Sequence, residues 1–176
     1  MAPATWLKPA LFALLAVNAA VYAVNGRLSE GLDALAWFVL LALFEAEARF
    51  PHWTRRRQIA VMLDLLRLAA AVAIAVAAFA FVREGEWLDA ANAWLWIGVV
   101  AVLELEVRAR DRVTRQRRIF ATVSVALYGA LAGVALAWLA QGYWFDGYDA
   151  VLWIAAFALI EMDLLQLSAA ALDDRI

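Results

Sequence analysis

One fifteen-residue pattern is written three times in this chain, and an internal repeat constrains the possible folds more than any single motif. Asp33–Glu47 reads DALAWFVLLALFEAE, Asn92–Glu106 reads NAWLWIGVVAVLELE, and Asp149–Asp163 reads DAVLWIAAFALIEMD. Each copy opens with Asp or Asn followed by Ala, has Trp at its fifth position, and closes on Glu-x-Glu or Glu-x-Asp after seven further residues. The likeness extends outward. Gly26, Gly85 and Gly142 lie seven residues before the Asp or Asn, and Glu30, Asp89 and Asp146 lie three before it. Ala42, Ala101 and Ala158 each follow the tryptophan by five. The period is about 58 residues, long enough for one helical hairpin per repeat.

The 176 residues are 67% hydrophobic, with a mean hydropathy of +0.76. A water-soluble domain of this size cannot bury so much apolar surface, so the class is an integral membrane protein. The chain has no cysteine, which excludes disulfides, thiolate metal sites and cysteine nucleophiles. Its one histidine, His52, follows Pro51 among arginines and reads as an interfacial loop residue. Lys8 and the apolar run to Val24 have the outline of a signal peptide. Asn25-Gly26-Arg27 offers no small-residue cleavage site, and cleavage would remove the first repeat's partner helix, so the run is read as a retained first helix.

Six apolar segments, near 7–24, 30–49, 57–82, 87–108, 117–140 and 146–167, can each cross a hydrocarbon layer of about 30 Å as a helix of about 20 residues. They form three tandem hairpins, approximately 1–52, 53–113 and 114–167, with 168–176 as a short cytoplasmic tail. Arg49, Arg55, Arg56 and Arg57 fill one inter-repeat connection, and Arg108, Arg110, Arg112, Arg115, Arg117 and Arg118 the next. The three turns within the hairpins hold only Arg27 and Arg83 beside seven acids. The positive-inside rule then places both arginine loops and both termini in the cytoplasm of a bacterial-type inner membrane. This topological role accounts for the arginines, so nucleic acid is not expected as a partner. Trp87, Trp144, Tyr143 and Tyr148 suit the outer interface, and Trp6 and Trp53 the inner one. The repeat tryptophans Trp37, Trp96 and Trp153 lie deeper and read as helix-packing residues.

Glu30, Asp89 and Asp146 are expected at helix N-caps, where a carboxylate meets free backbone N–H groups. Glu45, Glu104 and Glu161 then lie roughly 22 Å further along their helices, about 5–8 Å inside the cytoplasmic boundary. An ionisable side chain at that depth is a functional candidate by default. Counted at about 100° per residue, Glu45 shares a face with Ala34 and Ala42, which points that face at neighbouring helices. Parallel hairpin repeats imply a pseudo-threefold axis along the membrane normal, on which the three glutamates would converge.

Two functions follow from such a cluster. In the first, Glu45, Glu104 and Glu161, supported by Glu47, Glu106, Asp163 and Asp64, bind or conduct a cation or proton. No cofactor is required, and an oxygen-only ligand set favours a hard divalent ion such as Ca²⁺, Mg²⁺ or Mn²⁺. In the second, the acids are structural. Glu45–Arg49 and Glu104–Arg108 are i,i+4 pairs, the third copy has Leu165 instead of arginine, and Arg67 beside Asp64 is a further counter-charge. The chain would then be a non-catalytic membrane subunit or scaffold, in contact with the bilayer and with a second copy or a larger membrane complex. No nucleophile–base–orienter set is present, so an enzyme is not expected.

Overall fold

The structure is a computed structural model describing residues 4–54, 56–108 and 115–173. Seven helices are found among the described residues: α1 (Ala4–Asn25), α2 (Leu28–Arg49), α3 (Pro51–Thr54), α4 (Arg57–Glu84), α5 (Trp87–Arg108), α6 (Arg117–Gln141) and α7 (Trp144–Asp173). The last helix runs on through 168–173, into the segment read from sequence as a tail. Four stretches are long and apolar enough to cross a membrane: Trp6–Asn25, Arg57–Glu84, Trp87–Leu105 and Arg118–Gln141. This is the make-up of a multi-pass membrane protein.

Helix α2 is absent from that set because charge, not length, disqualifies it. Every 18-residue stretch of its 22 residues holds at least three of Glu30, Asp33, Glu45, Glu47 and Arg49. The charges sit at its two ends and leave Ala34–Phe44 without one.

The repeated glycines end their helices by two different means. Gly85 and Gly142 have φ of 79° and 88°, left-handed values that glycine adopts without steric cost. Around them Glu86 N–H donates to the Phe81 carbonyl (3.0 Å) and Tyr143 N–H to that of Trp138 (2.9 Å), closing a Schellman turn at each end. At Gly26 the chain keeps negative φ, and space is the constraint. A Cβ there would stand 2.6 Å from the Tyr22 carbonyl oxygen and 2.7 Å from Glu30 Oε2.

The repeated acids Glu30, Asp89 and Asp146 are one turn further in than expected. Each is the third residue of its helix, and Arg27 occupies the N-cap position of α2. Their position is still explained by the free N–H groups of the first turn, because a carboxylate there can reach back: Arg27 N–H donates to Glu30 Oε2 at 2.8 Å.

The chain divides into two compact units, Ala16–Trp94 and Leu95–Ile176 with Met1–Leu15, the divisions falling inside α1 and α5. In the first unit α2 packs on α4, which presents Leu63, Ala70, Ile74, Ala77, Ala78 and Phe81 as one buried stripe. Phe79 meets Trp94 edge-on at 5.3 Å between ring centroids. In the second unit α6 packs on α7. Trp96 of α5 lies against Phe157 of α7 (4.7 Å) and Tyr128 of α6 (6.4 Å), with Trp153 beside the same phenylalanine (6.3 Å). Three helices thus meet on one indole.

The face that packs agrees only in part with the one expected: Ala93 and Ala150, the equivalents of Ala34, are 1% and 4% exposed, but the second repeated alanine is not packed. Trp37, Trp96 and Trp153 are only 7%, 4% and 8% exposed, while Ala42, Ala101 and Ala158 are exposed in every copy. An indole has far more surface to remove from its surroundings than a methyl, so it takes the helix-facing side. Close approach is provided instead by a small residue two before the Asp or Asn. Gly31, Ala90 and Gly147 are all buried. A Cβ on Gly31 would stand 3.1 Å from Ala23 Cα, and one on Gly147 would stand 2.6 Å from Leu139 Cγ and 3.1 Å from the Ala135 carbonyl oxygen.

Candidate functional site

The acids at the C-terminal end of α2 are held by arginines. One helical turn brings Arg49 beneath Glu45, and Arg49 Nη2 donates to Glu45 Oε1 at 3.0 Å, the i,i+4 pair read from the sequence. Arg67 on α4 carries two carboxylates. Its Nη1 donates to Asp64 Oδ1 at 2.9 Å within the same helix, and its Nη2 to Glu47 Oε1 at 2.6 Å on α2. Glu47, read from the sequence as a supporting member of the acidic cluster, thereby ties α2 to α4.

These pairs are partly exposed, Arg67 by 43% and Glu47 by 39% of their side-chain surface. Facing water, such a contact is worth about 0–1 kcal/mol. At the edge of a bilayer its larger effect is to keep full charges from meeting hydrocarbon alone.

Glu45 lies in the first unit, whereas Glu104 and Glu161 belong to the second. Glu104 is exposed on α5. The side chains of Glu106, Glu161 and Asp163 lie outside the described residues. Among the described residues no group of three His, Cys, Asp or Glu side chains is placed to hold a metal ion.

A second cluster, which the sequence reading missed, forms at the opposite end of the first unit. Arg27 Nε donates to Glu30 Oε1 at 2.8 Å, Nη1 pairs with Glu86, and Nη2 stands 3.8 Å from Asp89 Oδ2. Beside it the buried Ser29 hydroxyl donates to Glu84 Oε2 at 2.7 Å. One arginine of the first hairpin turn thus joins the first turn of α2 to the turn between α4 and α5. The hydrogen bond to Glu86 is the main influence raising the Arg27 pKa above its ordinary value; burial opposes it, and the bond and charge of Glu30 reinforce it. A raised arginine pKa adds its full stability at every pH below the ordinary value and loses it as pH climbs from there through the raised one, so this pairing keeps its arginine charge through the whole working range.

Two acids, Glu30 and Asp89, are repeat-equivalent and meet at the same guanidinium. The signal that could have revealed the cluster was the presence of only two arginines, Arg27 and Arg83, against seven acids across the hairpin turns. Its partners lie 59 residues apart, beyond any local spacing rule.

What both clusters do chemically is neutralise charge and join helices. Family models, curated proteins and solved structures contain no match to this chain.

Proposed function

We propose that the chain is a six-span protein of the cytoplasmic membrane, with both termini inside, built from three hairpin repeats about a pseudo-threefold axis. In this reading it is a non-catalytic subunit or scaffold whose repeated acids are structural ion-pair partners, and its lipid-level surface docks a second copy or a larger membrane complex. One observation carries the reading: Glu30, Glu45 and Glu47, three of the four acids that make α2 too charged to pass as a span, are each salt-bridged to an arginine. Paired at the two ends of an uncharged stretch, they leave the middle of α2 apolar. The shared placement of tryptophan, small residue and alanine in all three copies supports treating α5 and α7 as α2's equivalents.

The alternative, cation or proton conduction, rests on the threefold copying of Glu45, Glu104 and Glu161. Melting of the purified full chain separates the two. With structural acids, Arg67→Gln lowers stability by about 1 kcal/mol with no ion added, the upper end for half-exposed pairs. Millimolar Ca²⁺, Mg²⁺ or Mn²⁺ then leaves the wild-type melting temperature unchanged. A bound cation would instead stabilise by roughly 3 kcal/mol at a hundredfold excess over its Kd. A cation-dependent rise that Glu161→Gln abolishes would overturn the structural reading.

A further inference from the structure

The elbow between α2 and α4 holds arginines of a different kind. The guanidiniums of Arg27, Arg49 and Arg67 are all bonded to carboxylates, whereas the side chains of Arg56 and Arg57 are exposed and make no hydrogen bond or ion pair with any described residue. They stand at the start of α4, whose first turn contains no acid to offset their two charges. The segment just before them is apolar and outward-facing: Phe50 is 52% exposed and Trp53 46%. It is not loose. Phe50 N–H caps α2 on the Ala46 carbonyl, α3 packs against both α2 and α4, and the buried Thr54 hydroxyl donates to the Phe50 carbonyl at 3.1 Å.

Exposed aromatic rings in the same elbow as exposed guanidiniums, at the start of a membrane-length apolar helix, match the chemistry of a lipid surface. Indole and phenyl rings settle at the headgroup level, and guanidinium binds phosphate through paired N–H donors. We propose that this elbow binds the phosphate of an anionic phospholipid headgroup, held by Arg56 and Arg57, with Phe50 and Trp53 seated in the interface beside it. The occupant is a membrane lipid and not free phosphate, because inorganic phosphate has no use for the two aromatic rings. The inference rests on the membrane reading above and assigns the elbow a ligand that reading does not require.

Native mass spectrometry of the full chain, released from neutral micelles holding equal phosphatidylglycerol and phosphatidylcholine, tests it. Wild type is expected to retain phosphatidylglycerol roughly thirtyfold over phosphatidylcholine, the order expected of two guanidiniums near a lipid surface. Arg56→Gln with Arg57→Gln should lose most of that preference, and Arg56→Lys with Arg57→Lys should keep most of it. Excess inorganic phosphate should not displace the lipid. Circular dichroism on the glutamine variant confirms that it remains helical. Equal retention of the two lipids, an undiminished preference in the glutamine variant, or displacement by free phosphate would each overturn the proposal. A chain found in the soluble fraction of cells would instead overturn the membrane reading beneath it.

Discussion

Trp96→Ala is expected to destabilise the fold by about 3 kcal/mol, the low end of the range for deleting a buried tryptophan. The low end applies because apolar surface freed inside a bilayer meets lipid and not water, which leaves packing as the principal loss. That loss is large at this position. Trp96 brings α5 against Phe157 of α7 and Tyr128 of α6, so an alanine there opens a void where three helices meet. For a chain of this length about 3 kcal/mol lowers the melting temperature by on the order of 10 °C. Trp87→Ala is the control. That ring is 69% exposed, and removing it should shift stability by no more than about 0.5 kcal/mol. Equal effects from the two substitutions would mean that burial does not distinguish the repeat tryptophans from the interfacial ones.

Gly147→Val should have an effect of similar size for the opposite reason. The new Cβ would enter space held by Leu139 Cγ, 2.6 Å away, with the Ala135 carbonyl oxygen at 3.1 Å behind it. Overpacking of this kind costs about 1–3 kcal/mol, and the backbone oxygen places this site at the upper end because it cannot rotate aside. Gly133 on α6 gives the contrast, since a Cβ there meets nothing within 4 Å. Gly133→Ala should therefore stabilise by about 0.5–1 kcal/mol through helix propensity. Thermal melts of the two variants in one detergent would show shifts of opposite sign; a destabilising Gly133→Ala would contradict the packing described for α6.

Much of this was legible in the sequence because it is local. The hairpin turns could be read from Gly85 and Gly142, the Glu45–Arg49 and Asp64–Arg67 pairs from helical spacing, and the packing role of Trp37, Trp96 and Trp153 from their recurrence. What failed was judging how far around the helix the packed face extends. An angular count shows that Glu45 and Ala42 share a side and that Trp37 lies on another, but it does not say which side meets a neighbour. The rule that small residues mark helix contacts held for Ala93 and Ala150 and failed for Ala42, Ala101 and Ala158. Gly31, Ala90 and Gly147 fill one aligned position, obscured because one copy has alanine where the others have glycine. The N-cap assignment slipped by one turn because a carboxylate at the third helical residue serves the same free N–H groups as one at the cap. Glu47–Arg67 and Arg27–Glu86 join residues 20 and 59 apart, so only the folded chain brings them together.

The central claim is that α2 and α7 cross the membrane despite their acids, giving three hairpins and six spans. The chain contains no cysteine, so single cysteines can report sidedness without background. We would place them at Asn25, Arg83 and Tyr143 in the hairpin turns, and at His52 and Val113 in the arginine-rich connections. An impermeant maleimide applied to intact cells is expected to label the first three, and to reach positions 52 and 113 only after lysis. If Asn25 and His52 label alike, α2 lies on one side of the membrane, the first hairpin is not a pair of spans, and the three-repeat architecture is wrong.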